Sequence, residues 1–295
     1  MVKAFLASFF LFSTLLFAEE VTTLNQVTAP QLIEDIVVQE DMLLSKIKDF
    51  LDEKSYNENR EFIDVIFEPK SSFYKNERVN AVKVIQTLKE NGLLKLFFPQ
   101  PSELKLNFKT SGTPLFFIKI MGDTLRNIGY FRYVTTASHL DASEFEWKIS
   151  LTAEYATDPL VLENELNKNN CRIIDIERKS ATEWSYIIDI SEGSLDIDSV
   201  ENGNSFKLKR SLYAHWLNIS QVKSLTIKSS RRNSWYPYIA YYDASLHLLE
   251  VIKKDKVFYK LKLNIPQNAK YIKISDLYTL KNVRESLLLF PRGSK

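Results

Sequence analysis

Two hydrophobic periods divide this chain. From Gln31 to Ile190 apolar residues recur at helical spacing in some stretches and alternate in others, while beyond Phe206 the period is two almost throughout. Leu32, Ile36, Met42, Leu43, Ile47, Phe50 and Leu51 predict an amphipathic helix from Gln31 to about Lys54. A βαββαβ order is then predicted: strand Phe62–Phe67, helix Glu77–Asn91 closed by Gly92, strand Leu93–Phe98, strand Leu104–Lys109, helix Pro114–Ile128 closed by Gly129, and strand Tyr130–Thr136. A shorter unit follows, with a long alternating strand from Phe145, a helix capped by Thr157 or Asp158 that starts at Pro159 and ends near Asn169-Asn170, and a hairpin of Arg172–Glu177 with Trp184–Ile190.

Gly193–Ser205 is polar and acidic and reads as a linker. After it come short strands at Phe206–Lys209, Leu225–Lys228, Tyr238–Tyr242, Leu246–Leu249, Tyr259–Ile265 and Tyr271–Ile274, separated by turn residues, which is the habit of a β-sandwich or jelly roll. The expected fold class is therefore α+β. A helical lead (19–60), a ferredoxin-like unit (61–140), a second partial unit (141–192) and a linker (193–205) precede an antiparallel sandwich (206–295).

The N-terminus changes the picture of where the protein works. Met1-Val2-Lys3, an apolar run to Ala18 and the polar step Glu19-Glu20 have the layout of a secretory signal peptide over 1–18. The run is short for a membrane span of roughly 20 residues; with Leu16 three residues before the junction, an uncleaved anchor is the alternative. The expectation is a periplasmic protein. Its one cysteine, Cys171, rules out an intramolecular disulfide and reads as a small buried residue.

Charge sharpens the division. Residues 19–205 carry 20 Lys and Arg against 32 Asp and Glu, a net of −12, and residues 206–295 carry 18 against 5, a net of +13. Such asymmetry implies a charged partner or docking of the acidic region on the basic domain. For an exported chain, the partners that fit are an envelope protein complex, an anionic glycan or another anionic head group, rather than nucleic acid.

Candidate chemistry is sparse. His139, His215 and His247 stand far apart, without metal-ligand spacing. No Gly-x-Ser-x-Gly elbow and no phosphate-cradling glycine loop occurs. No catalytic residue, cofactor or metal is assigned, and the chain reads as non-enzymatic. The densest cluster runs from Arg231 to Asp243, with two arginines and five aromatic rings. Trp216, Trp235 and Tyr238 are candidates for a sugar-stacking platform, and Arg231 and Arg232 for holding an anionic group. The competing expectation is that most of these rings fill the sandwich core.

The stretch Trp235-Tyr-Pro-Tyr-Ile, then Tyr241-Tyr-Asp, Leu263-Asn-Ile-Pro and Lys270-Tyr-Ile-Lys-Ile-Ser-Asp resembles the galactose-binding-like jelly rolls of carbohydrate-binding modules. The helical lead with βαβ-rich units over Gln31–Ile190 resembles the periplasmic part of PilO- and GspM-like assembly proteins. Together these imply a scaffold or adaptor of an envelope assembly whose sandwich binds a glycan or a protein. A carbohydrate-binding module on a spacer and an unrecognised hydrolase are the alternatives.

Overall fold

The structure is a computed structural model that describes residues 42–295. The predicted signal peptide and the first part of the predicted lead helix lie outside the described residues. The chain from 42 onward forms one compact unit with two parts, an α+β part and a jelly roll. Among the described residues no helix is long and apolar enough to cross a membrane.

The α+β part is built on one five-stranded sheet, in the order β4-β5-β3-β7-β6. Its strands are β3 (Phe97–Thr110), β4 (Val134–Leu140), β5 (Phe145–Tyr155), β6 (Arg172–Ser180) and β7 (Glu183–Asp189). Helix α5 (Pro114–Asn127) links β3 to β4, and α6 (Pro159–Asn167) links β5 to β6. This is the ferredoxin-like βαββαβ path with one addition, because β7 inserts parallel to β3 and displaces β6 to the edge. The two units expected from sequence are thus one sheet. Leu104, Leu106 and Phe108 alternate onto the buried face, where Phe108 packs on Tyr186 and Trp147.

The N-terminal elements depart further from expectation. Helix α1 (residues 42–50) ends at Leu51, because Asp52 caps a new helix, α2 (Glu53–Glu58), by accepting from the Ser55 amide at 2.9 Å. The predicted strand Phe62–Phe67 is helix α3 (Arg60–Ile66) instead. Four-residue spacing buries Ile63 and Phe67 together while Phe62 and Val65 face out, so tertiary burial overrides the strand preference of β-branched residues. A small hairpin, β1 (Tyr74–Lys75) and β2 (Arg78–Val79), turns at Asn76 and Glu77, both with positive φ. Asn80 then caps α4 (Ala81–Glu90), which starts later than predicted. Leu93–Lys95 is loop, and β4 begins four residues after the predicted Tyr130.

The jelly roll comprises β8 (Phe206–Leu208), β9 (His215–Asn218), β10 (Ser224–Ser229), β11 (Pro237–Tyr242), β12 (Leu248–Lys253), β13 (Lys260–Asn264), β14 (Tyr271–Asp276) and β15 (Leu287–Arg292). Its sheets run β13-β10-β15-β8 and β12-β11-β14-β9, every pair antiparallel, so all connections but β11–β12 change sheet. That is jelly-roll topology.

Strands β11 and β14 are buried on both faces. Ile239, Tyr241, Ile272 and Ile274 point into the sandwich, whereas Tyr242 and Tyr271, with Trp216 and Leu246, join the core of the α+β part. The predicted linker is packed over residues 193–200, whereas residues 201–205 are exposed. Leu195 and Val200 are buried, and a Cβ on Gly193 would meet the Ile190 carbonyl oxygen and the Phe116 ring at 2.8 Å each.

One buried carboxylate ties the end of the loop carrying Arg231 and Arg232 to the turn that follows β14. Asp276 accepts from the Tyr236 amide at 2.8 Å, the Tyr278 amide at 3.0 Å, the Thr279 amide at 2.9 Å and Asn282 Nδ2 at 3.0 Å. Removing it leaves four part-buried donors to find water instead, at a cost of up to about 1 kcal/mol each. Asp276→Ala is expected to lower stability by about 3 kcal/mol in urea unfolding; a loss below about 1 kcal/mol would show that water replaces the carboxylate.

Candidate functional site

The residues nominated from sequence do not converge. Trp235 is fully buried between the sheets, its indole donating to the Ser275 carbonyl at 2.9 Å, and is withdrawn as a ligand-binding ring. Trp216 lies across a sheet from it, on the outer face toward α5. There it packs on Tyr242 (ring centroids 5.0 Å apart), with Lys119 Nζ at 5.3 Å and Lys273 Nζ at 5.7 Å over its ring. Its place is taken by the junction. Tyr238 is half-buried beneath Lys253. Arg231 is exposed, and at the end of the sandwich Arg232 holds Glu285 at 3.0 Å, a carboxyl kept below its usual range first by the Ser230 hydroxyl and then by Arg232. At that end Tyr236 meets Tyr278 edge-on at 5.1 Å.

A different site forms where the two parts meet. Helix α5 ends at Asn127, and the chain reverses through Gly129 at φ 100° into Tyr130-Phe131-Arg132-Tyr133 before entering β4. Tyr213, from the β8–β9 loop, reaches over to lie 5.6 Å beneath the Arg126 guanidinium. Between them opens a groove of about 1060 Å³, lined among others by Arg126, Phe131, Arg132, Tyr133, Val134 and Tyr213. A smaller hollow of about 330 Å³ shares Tyr130 and Thr152 with it and continues to Tyr155, whose ring packs on the exposed Phe97.

The groove mixes fixed and unsatisfied surface. Tyr130 is held by a hydroxyl contact to Thr157 at 3.0 Å, and burial pushes its pKa up. Tyr133 stands edge-on to Trp147 at 5.8 Å, and burial raises it too, against the lowering effect of Arg126. Phe131 and Tyr213, by contrast, are 75% and 70% exposed. Beside them β4 is the outermost strand, and all seven of its residues are exposed. An outer strand leaves one row of backbone donors and acceptors available to a further strand.

Other polar chemistry is spent on structure. His247 contacts Asp243 at 2.9 Å; burial would raise that carboxyl, but bonds from the ring and backbone hold it below the usual range. His215 sits in β9, where burial lowers its pKa, and His139 lies exposed on β4. Among the described residues no three His, Cys, Asp or Glu side chains are placed to hold a metal ion. A second cavity of about 530 Å³, beside the β1–β2 hairpin, mixes Lys75, Arg78 and Arg172 with Glu144, Glu163 and Asp189. Within it Arg172 already pairs with Asp189 at 2.7 Å.

Comparisons with protein-family models, with curated proteins and with solved structures find no match for this chain. The groove was missed in the sequence because its parts come from four separate segments. The available signal was the run Tyr130-Phe131-Arg132-Tyr133, whose rings and cations follow a helix-ending glycine directly.

Cys171 is buried, with its thiol pushed up to about 12 by burial and by the Asp189 carboxylate. A thiol so poorly ionised is a weak nucleophile. It is expected to resist thiol reagents at pH 8 in the folded protein and to react fully in denaturant; fast labelling of the native state would contradict this burial.

Proposed function

We propose that the protein is a non-catalytic scaffold or adaptor, exported to the periplasm, that holds a protein subunit of an envelope-associated assembly. The observation that carries this reading is the outermost strand β4, exposed along its full length beside an aromatic groove. An extended segment of a partner can add to such an edge through backbone hydrogen bonds while its side chains enter the neighbouring groove. Phe131 and Tyr213 supply large rigid rings, and Arg126 and Arg132 supply charge at the rim, a composition enriched where proteins bind proteins.

The leader-like segment over residues 1–18 supports export. The resemblance of the middle region to PilO- and GspM-like assembly proteins supports a role in an assembly. In this reading the jelly roll holds the adaptor to an anionic component of the envelope. A stacked-sugar site finds less support, since Trp235 and Trp216 are both occupied by packing.

A photo-crosslinking residue placed at Phe131 in the full chain tests this in cells. The expected result is discrete adducts with an envelope protein, absent when the same residue replaces Lys179 on the opposite strand β6. Adducts from Lys179 alone, or a protein retained in the cytoplasmic fraction, would contradict it.

A further inference from the structure

Five of the 18 Lys and Arg of the jelly roll stand on one sheet face that the rest of the molecule leaves open. In the β13-β10-β15-β8 sheet, burial alternates strictly, so residues in register share a face. Leu225, Ile227, Leu261, Leu263, Leu287 and Leu289 point into the sandwich. The opposite, outward positions carry Lys207, Lys228, Lys260, Lys262 and Arg292, all exposed. The remaining outward strand positions are Ser224, Thr226, Asn264, Leu288 and Phe290, so no strand position of this face carries a carboxylate; Glu285, in the turn before β15, lies close enough to Lys207 to feel its charge.

Two details separate this face from an ordinary solvated one. Lys228 lies directly opposite Lys260 in the antiparallel register. Like charges in that position oppose each other and weaken the pairing. Among the described residues none of the five cations pairs with a carboxylate, whereas lysines of the α+β part commonly do, as in Lys46–Asp175 at 2.6 Å and Lys148–Glu146 at 2.9 Å. The centre of the face is also apolar. Leu288 is 39% exposed, and Phe290 lies under Lys228 Nζ at 4.6 Å.

We propose that this sheet face is a docking surface for an anionic phospholipid bilayer. Its geometry favours a membrane over a glycan or an acidic protein. The face is a regular four-stranded sheet on which the charges are mainly lysines. These act as flexible point charges, suited to a diffuse negative surface, and lack the forked geometry that reads a defined carboxylate or phosphate. The face's outward ring, Phe290, is half-buried beneath Lys228, which leaves it no open side for a sugar to stack on. Leu288, between Lys228 and Lys207 in register, adds exposed apolar surface that the interfacial region of a bilayer accommodates. The α+β part covers the other sheet, so a bilayer on this face leaves the groove and β4 accessible. This rests on the proposed anchoring of the jelly roll to an anionic envelope component and names that component; the surface is separate from the groove, so groove binding can fail while this holds, and the reverse.

Each Lys or Arg near an anionic membrane contributes about 1 kcal/mol, so removing two weakens binding about 30-fold. The test is co-sedimentation of the full chain with phosphatidylcholine vesicles and with vesicles carrying about a third phosphatidylglycerol. Wild type is expected to bind the anionic vesicles preferentially, and less so as salt rises. Lys228→Gln with Lys260→Gln is expected to bind about 30-fold more weakly, with a melting temperature unchanged or raised because the like-charged pair is gone. Lys168→Gln with Lys179→Gln changes net charge equally and is expected to bind as wild type. Equal binding to both vesicle types, or equal losses in the two double variants, would overturn the proposal. Capture of an anionic polysaccharide or an acidic protein without vesicle binding would also overturn it and reassign the face to that partner.

Discussion

The arrangement of this protein depends on the docking of the jelly roll against helix α5. The contact is made by the outer face of one sheet, through Trp216, Tyr242, Tyr271 and Leu246. It is mainly apolar and aromatic, with a buried bond in which the Tyr271 hydroxyl accepts from the Leu195 amide at 3.4 Å and a part-buried one from the Thr113 hydroxyl to the Ser245 carbonyl at 3.5 Å. Lys119 and Lys273 attend the Trp216 ring from the two sides of the junction. Cation–π contacts of this kind add about 0.5–2 kcal/mol each, depending on desolvation. Burial of four large apolar side chains outweighs them, at about 1.5–3 kcal/mol apiece.

The opposite net charges of the two parts therefore do not neutralise each other through ion pairs. Every ion pair observed between described residues stays within one part, the nearest to the junction being Lys119 with Asp123 on α5 itself. The consequence is functional. Because the contact uses apolar surface, the cations of the second sheet are not consumed by the junction, and Arg126 is left to position Tyr213 over the groove. One apolar junction thus sets both proposed surfaces, the groove with its edge strand and the cationic face.

Much of the architecture was legible because its elements obey simple periods. The ladder of Leu104, Leu106 and Phe108, the proline-opened helices at Pro114 and Pro159, and six of the eight jelly-roll strands followed from spacing and turn chemistry. Strand β15 escaped because Leu287-Leu288-Leu289-Phe290 is apolar at every position, so alternation is hidden by the outward Leu288 and Phe290. The tyrosine-rich stretch misled in the same way. A strand buried on two faces reads as continuously aromatic, and only the fold shows that Tyr241 serves one core and Tyr242 the other. The α3 segment failed because burial by four-residue spacing is weakly visible across six residues. The site failed most, since no local pattern announces that Tyr213 will meet Arg126.

The claim that the two parts form one rigid body through an apolar junction is open to direct measurement. Spin labels at His139→Cys on β4 and Lys262→Cys on β13, both exposed positions, report the distance between the parts while buried Cys171 stays unlabelled. The account predicts a single narrow distance distribution that does not change between low and high salt. A broad distribution, or one that widens as salt rises, would contradict it.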